Sequence, residues 1–509
     1  MPLLSKSKIV AWRQCPRRLW LEIHRPELRR DSASAQAGFR IGHEVGEAAR
    51  RRYDPQGVGQ VLDPHAEGWE AAFARTQALL ADAAGPVFEA SLRAGGALAL
   101  ADVMLPVPGG WRMIEVKSST SVKDYHHDDV ALQAFVARGA GVPLASVAVA
   151  VVDSRWTYPG GGDFEGLFVE HELGDEAARR APEVAGWIEG ATRDAALPEA
   201  PMRATGEHCR TPFECGFLAH CAAGEPRVDH PVAWLPGARR KALRDHVAAV
   251  GVREMADVPD GLLDALQLRV KRATLAGTPW FDADGARVDL APYRLPAMFL
   301  DFETAGFAVP RWAGTRPYQS LPFQFSVHRM GRDGSLEADG FLDTSGKEPS
   351  AAFAAALVEA CAGSGPIFVY NRAFEARHLA VLEARFAPLA ARLAAIRERL
   401  VDLHPVAQAR WYHPAQHGSW SIKAVLPTLA PDLDHGSLDG VQDGRGAQDA
   451  YAEAIDPATP AARRLALERQ LREYCALDTL ALVRVWEVLS GTRPVPGVRR
   501  SGRSGTSRR

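Results

Sequence analysis

Asp301 and Glu303 close an apolar run, Phe299-Leu300-Asp301-Phe302-Glu303-Thr304. In a strand, residues two apart share a face, so both carboxylates aim at one point. Paired acids at the end of a core strand repel each other and lose hydration, and a hard divalent cation relieves both costs. Glu375 begins a helix just after a second apolar strand, and Tyr474 and Asp478 lie four apart in a helical stretch. Residues at that spacing share a helix face. A tyrosine hydroxyl beside a metal-bound carboxylate is suited to orient an attacking water. In the first half, Glu115 and Lys117 share one strand face, and Asp102 follows the strand before it. A third set is Cys209-x5-Cys215-x5-Cys221, with Cys15 far upstream. Four thiolates suit an iron–sulfur cluster. Zinc held by all four, or by three with His208 or His220, is the alternative. Either metal would pin the first helix to the segment that closes the domain.

Asp301-x-Glu303, Asn371 to Glu375 and Tyr474-x-x-x-Asp478, in this order, resemble the three motifs of the DEDD exonucleases, in their tyrosine-bearing subclass. The resemblance implies an RNase-H-like fold and 3′–5′ exonuclease chemistry. It implies two divalent ions on Asp301, Glu303, Glu375 and Asp478, and in-line attack by water on a phosphodiester. Ions in such sites sit about 3.5–4 Å apart. The segment through Gly418–Pro427 is similar to a bacterial family of uncharacterised RNase-H-like domains that is commonly fused to a RecB-like nuclease. One residue departs from the pattern. Glu375 stands where aspartate is usual, and its extra methylene moves a metal by about 1 Å, a misplacement that costs on the order of a hundredfold in rate.

Asp102 followed by Glu115-x-Lys117 resembles the PD-(D/E)xK nucleases of the RecB type. The resemblance implies a restriction-endonuclease-like fold with Mg²⁺ or Mn²⁺ on Asp102 and Glu115. Lys117 would orient water or offset charge in the transition state. It also implies that His43 is a metal ligand and that Gln133 belongs to the helix motif after the lysine, on the nucleic-acid side. The cysteine pattern is similar to that of iron–sulfur-stapled RecB-type nucleases, which favours a structural 4Fe–4S cluster over Zn²⁺, although the first gap of the triplet is longer here. Several residues stay open. Glu89 fits a site or a solvent face, and Tyr125 is a weaker candidate. Asp402 fits a further acid or a strand-end cap. Lys423, with Gly418, Ser419 and Ser421, fits a phosphate-holding edge or an ordinary helix start. Cys361 and Cys475 read as small buried residues, and Trp12 and Trp20 as packing.

The elements that must position these groups are mixed α and β. Ser5 is expected to cap a helix running through Cys15 towards Trp20, with a second helix over Gly42–Arg52. Strands are expected at Val87–Ser91, Ala97–Leu105 and Trp111–Lys117, with Gly95-Gly96 turning the first two. A helix over Asp129–Ala137 leads to a buried strand at Ser146–Val152. Residues 225–293 read as a helical connector with a basic cluster, Arg239, Arg240, Lys241 and Arg244. Later strands are expected at Ala297–Phe302, Phe323–Arg329 and Ile367–Tyr370. Helices are expected at Ala351–Ala362, Ala373–Arg385, Leu389–Arg399 and Ala461–Leu489. The expected domains are therefore 1–224 and 294–492, followed by a disordered basic tail at 493–509.

The chain has 509 residues, too many for one compact core. Its net charge of −2 excludes a global basic field, so any phosphate-binding surface must be local. Six cysteines are too few for a disulfide scaffold. No apolar run is long enough to span a membrane, and the basic N-terminal stretch lacks the apolar core of a signal peptide, so a cytoplasmic location is expected. These features lead us to expect a metal-dependent nuclease acting on DNA, with RNA the alternative substrate. The competing reading is a nucleic-acid-binding or tethering protein in which one site has lost turnover. A redox role for the cysteines lacks a dinucleotide fingerprint to supply electrons.

Overall fold

The computed structural model describes residues 3–494 apart from Arg239, Asp434, His435 and Ser437. The tail expected at 493–509 lies outside the described residues from position 495 onward, as does Arg239 of the basic cluster. The chain forms two compact units of mixed α/β structure. One holds the residues up to Pro226 together with Gly306–Gln319, and the other holds Arg227–Ala305 and the chain from Ser320 onward. Among the described residues, no helix is long and apolar enough to cross a membrane.

The first unit is built on a seven-stranded sheet. Its strands are β1 (Leu4–Ser5), β2 (Gln60–Val61), β3 (Val87–Ala94), β4 (Ala97–Val107), β5 (Gly110–Lys117), β6 (Leu144–Val152) and β7 (Phe168–Glu172). The order is β2-β3-β4-β5-β6-β7, with β1 pairing alongside β4. The β3–β4 hairpin turns through Gly95 and Gly96, both left-handed at φ +57 and +84, a conformation glycine adopts without strain. β5 and β6 run parallel, joined through the helix Asp124–Gly139. From Val147 to Val152, β6 is buried at every position, as a covered parallel strand should be.

Three helices open this unit: α1 (Lys6–Gln14), α2 (Pro16–His24) and α3 (Ala33–Tyr53). Ser5 caps α1 by accepting from the Lys8 amide. The single helix expected through Cys15 is instead two. Pro16 has no N–H to donate and pushes its predecessor out of the helical region. Cys15 accordingly adopts φ −162, ψ 116, ending α1 and starting α2.

The second unit carries a five-stranded sheet in the order β11-β10-β9-β12-β13. A two-residue strand, β8 (Trp280–Phe281), precedes β9 (Ala297–Ala305), β10 (Leu321–Met330), β11 (Leu336–Leu342), β12 (Ile367–Val369) and β13 (Leu400–Asp402), and β14 (Trp411–Tyr412) pairs with β8. β9 is antiparallel to β10 and parallel to β12. The 30-residue helix Ala461–Ser490 packs on β9 and β10.

The expected connector is not a free-standing module. Leu235, Leu243, Met255 and Val270 share one core with Phe299, Phe368 and Trp486. Short, proline-punctuated helices cannot bury their apolar faces against one another, so they complete the core of the second unit. The segment 306–319, expected inside the C-terminal domain, belongs to the first unit. Ala308 packs with Val45, Ala48 and Val152, and Tyr158 exchanges backbone hydrogen bonds with Thr315 (2.9 Å) and Gly314 (2.8 Å).

Candidate metal centres

The first centre is a row of acids across β3, β4 and β5. The register Phe88↔Val103 and Val103↔Ile114 puts Glu89, Asp102 and Glu115 side by side. The ladder lapses at that row. Glu89 is left-handed at φ +54, a strained conformation for a non-glycine residue within a strand. Asp102 replaces a ladder bond with its own side chain: Oδ2 accepts the Val116 amide at 2.8 Å. His43, on α3, lines the same cleft of ≈ 230 Å³ as Glu89, Asp102 and Glu115. Glu89, left open by strand alternation, therefore faces the cleft, where Arg50 approaches it at 3.3 Å.

The Glu115 carboxylate is the hub. Lys117 Nζ reaches Oε1 at 2.7 Å, and Lys6 Nζ reaches the same oxygen at 2.6 Å. Gln133 donates to Oε2, and Asp129 accepts a second bond from Lys117. Burial works to raise the Glu115 pKa, but Lys117 and Lys6 outweigh it and hold the carboxyl below its usual range. Asp102 shifts the opposite way: burial and the neighbouring Glu115 charge raise it well above the ordinary value. Lys117 is held above its usual value by Glu115 and Asp129, although burial opposes the shift. Glu115 thus stays ionised while Asp102 resists ionisation until positive charge arrives.

A second centre gathers the four cysteines. Cys15, Cys209, Cys215 and Cys221 line one small cavity together with Arg17, Arg18, Arg203 and His208. All four are free thiols. Gln14, just before Cys15, ties this region to α1 by donating to the carbonyls of His208 (2.6 Å) and Phe213 (2.7 Å). Trp12 donates to Asp194 at 2.7 Å and Trp20 to the Leu197 carbonyl at 2.9 Å.

The third centre lies on the face of β9 and β10 covered by the long helix. Asp301 sits opposite Ser326, and Glu303 opposite Gln324. Both partners clamp the helix: Ser326 Oγ bonds Thr479 Oγ1 at 2.8 Å, and Gln324 Nε2 donates to the Leu471 carbonyl at 2.8 Å. His328 Nδ1 adds a third contact to Thr479 at 2.8 Å. Asp478, one residue before Thr479, is thereby held against the acids of β9. Burial and the Asp478 charge raise Asp301; burial, Asp301 and Asp478 raise Glu303. Burial, then Asp301, pushes Glu375 up to about 9. Glu375 Oε2 is buried with no hydrogen-bond partner among the described residues. The Tyr474 hydroxyl bonds Asp478, and burial beside that carboxylate raises its pKa. Lys423 Nζ lies 5.3 Å from the centre of the Tyr474 ring and lowers Asp301 and Glu303 against the other influences.

Residues 298–421 match the family model of a domain of unknown function, DUF2779. No curated protein matches the chain. The matched segment contains Asp301, Glu303 and Glu375 but ends before Lys423, Tyr474 and Asp478.

Two further residues lie near this third centre. Asp402 is a cap: its oxygens accept the amides of Asn371, Arg372 and His404, each at 3.0 Å. Cys475 is buried, as its type suggested, yet its sulfur comes within 4.8 Å of carboxylate oxygens of Asp301 and Glu303. Of the N-terminal groups, Lys6 and Asp129 escaped sequence reading because each reaches Glu115 or Lys117 only through tertiary structure. A lysine or aspartate on a helix carries no local mark of such a role.

Proposed function

We propose that this chain is a divalent-metal-dependent nuclease with two hydrolytic centres, one RecB-like and one of DEDD type on an RNase-H-like unit. The observation that supports the reading is the pairing of Asp301 and Glu303 within 4.8 Å of one another and of Cys475, with Asp478 and Glu375 close enough to raise or be raised by the Asp301 carboxyl and Glu375 keeping an unpartnered oxygen among the described residues. Grouped acids repel one another and lose hydration on burial, costs that protonation or a bound cation relieves. The donor set is oxygen-rich, as Mg²⁺ and Mn²⁺ prefer. Bound there, such ions would stabilise the attacking and leaving oxygens of a phosphodiester. Tyr474, kept protonated, holds a hydroxyl towards Asp478 for orienting water, and Lys423 offsets negative charge at the rim. In the first unit, Asp102, Glu115, His43 and Glu89 would hold the metal, while Lys117 positions water or screens developing charge.

For the cysteine cavity the favoured occupant is a 4Fe–4S cluster, with Zn²⁺ the alternative, because four thiols line it. Arg17, Arg18 and Arg203 supply positive charge for an anionic cluster, and Arg17 Nε is buried without a partner among the described residues.

DNA is the proposed substrate, and DNA repair or defence against foreign DNA the setting. The test is degradation of end-labelled single- and double-stranded DNA and RNA with Mg²⁺ or Mn²⁺. Asp301→Ala is expected to abolish one component of the activity and Lys117→Ala the other. If neither substitution changes the activity, the nuclease reading fails; if only one does, the other site serves binding or tethering.

A further inference from the structure

Lys6 is the group that the metal-centre chemistry of the first unit leaves unassigned. Its amine lies 2.6 Å from Glu115 Oε1, and its side chain is 20 % exposed, against 2 % for Glu115. The same oxygen already accepts from Lys117, and Oε2 is taken by Gln133. Two lysines on one carboxylate oxygen is more charge than fixing a rotamer requires, and burying a lysine costs hydration that only a purpose-built partner returns.

The placement of Lys6 is fixed from both sides. β1 pairs Leu4 with Ala97 and Ser5 with Leu98, setting the chain beside β4 just before Lys6. Ser5 then caps α1, so Lys6 is its first helical residue. At the far end of α1, Gln14 bonds the His208 and Phe213 carbonyls, and Cys15 enters the cysteine cavity. A nine-residue helix is about 13 Å long and stiff. The cysteine centre and β1 therefore hold Lys6 against Glu115 from opposite ends of one rod. Neither Glu115-x-Lys117 nor any residue near it in sequence contains this lysine.

We propose that Lys6 is a positioning residue of the N-terminal centre: it fixes the Glu115 carboxylate and competes with a divalent cation for Oε1. The inference rests on the metal-dependent reading of Glu115. Residues that orient a metal ligand typically contribute about 10- to 100-fold to activity, whereas a cation that competes for the ligand oxygen weakens metal binding.

The experiment uses the full chain, with the C-terminal centre silenced by Asp301→Asn and Asp478→Asn. Lys6→Met, Lys6→Gln and Lys6→Arg are compared with the parent for kcat and KM on DNA, for Mn²⁺ affinity by calorimetry without nucleic acid, and for melting temperature. Lys6→Met and Lys6→Gln are expected to lower kcat about tenfold or more with KM changed less than about threefold. Both are expected to bind Mn²⁺ more tightly, because a competing cation has left Glu115. Lys6→Arg should recover most of kcat. Unchanged kcat and Mn²⁺ affinity in all three variants would overturn the proposal. So would equal kcat losses that track a fall in melting temperature while Mn²⁺ affinity stays put, which is the mark of a purely structural residue. A parent chain that binds Mn²⁺ but cleaves nothing would sink the nuclease reading alone, and the calorimetric comparison would still decide the role of Lys6.

Discussion

Asp102 and Glu115 face each other across β4 and β5, and the Asp102 carboxylate takes the Val116 amide at 2.8 Å where the ladder between the strands stops. One acid is thus spent partly on backbone, while the other is wrapped by Lys6, Lys117 and Gln133. Their pKa values move in opposite directions, Glu115 down and Asp102 up. Environments that split two like groups in this way are typical of sites where charge is managed for chemistry.

Gln133 tests that division. It is fully buried, donates to Glu115 Oε2, and has an amide oxygen with no partner among the described residues. Gln133→Ala should lower the N-terminal activity about 10- to 100-fold while the C-terminal activity stays within about twofold. Single-turnover cleavage in the presence and absence of Asp301→Asn separates the two. A variant with unchanged N-terminal rate would remove Gln133 from the site.

Stability should depend on pH through the acid clusters. Glu375 titrates at about 9 in the folded protein against an ordinary 4.5, and Asp301, Glu303 and Asp102 shift in the same direction. The folded state therefore keeps protons that the unfolded chain has lost. Without metal, stability should fall as pH rises from about 4.5 to about 9. On the proposed reading divalent ions would bind the ionised acids, so the rise in melting temperature that Mn²⁺ gives should grow over the same range. Glu375→Gln should flatten the metal-free profile and cost the C-terminal activity about a hundredfold or more. Melting curves in EDTA and in Mn²⁺ at pH 6 and pH 9 decide; an equal metal effect at both pH values would refute the account.

Much of this was readable from residue order. Asp301-x-Glu303 and Glu115-x-Lys117 follow the two-residue period of a strand, and Tyr474 with Asp478 follows the turn of a helix. Gly95-Gly96 marks its hairpin. What could not be read depends on distant parts of the chain. The left-handed backbone of Glu89 within β3 has no mark in the local sequence. The role of Ser326 and Gln324 depends on the β9–β10 register. β11 was missed because Leu336–Gly340 is exposed and lacks the alternation of a half-buried strand. The connector and the 306–319 segment carry helical or irregular patterns that say nothing about which core they will complete.

The cysteine centre makes a compositional prediction. Protein purified without oxygen should be brown, with about four irons and matching acid-labile sulfide per chain. Cys215→Ala should remove the iron and lower the melting temperature, because the centre joins α2 to the 209–221 segment across most of the first unit's sequence. Since Gln14 and Cys15 anchor α1, the same variant should also weaken N-terminal cleavage, and leave the C-terminal activity within about threefold. Colourless protein with one zinc per chain would replace the cluster by the simpler ion.

Gly418 tests whether residues 227–293 are integral to the second unit. It is left-handed at φ +75, and a Cβ there would lie 1.6 Å from the Trp234 carbonyl oxygen. That contact sets a Cβ against backbone, so no side-chain rotation can relieve it. The neighbouring His417 ring stacks on Trp234 at 4.0 Å, which leaves the loop little freedom to retreat. Gly418→Ala should therefore destabilise the second unit by about 2 kcal/mol or more, from positive-φ strain plus overlap. Lys423 follows on the helix Ile422–Leu429, so the displacement should also reach the rim of the third centre and reduce C-terminal cleavage. The first unit, which contains neither residue, should keep its own unfolding transition and its Lys117-dependent cleavage. Denaturant titration, with Asp301-dependent and Lys117-dependent cleavage as the two probes, resolves the units. A single transition shifted as a whole, or none shifted at all, would contradict the assignment of 227–293 to the second core.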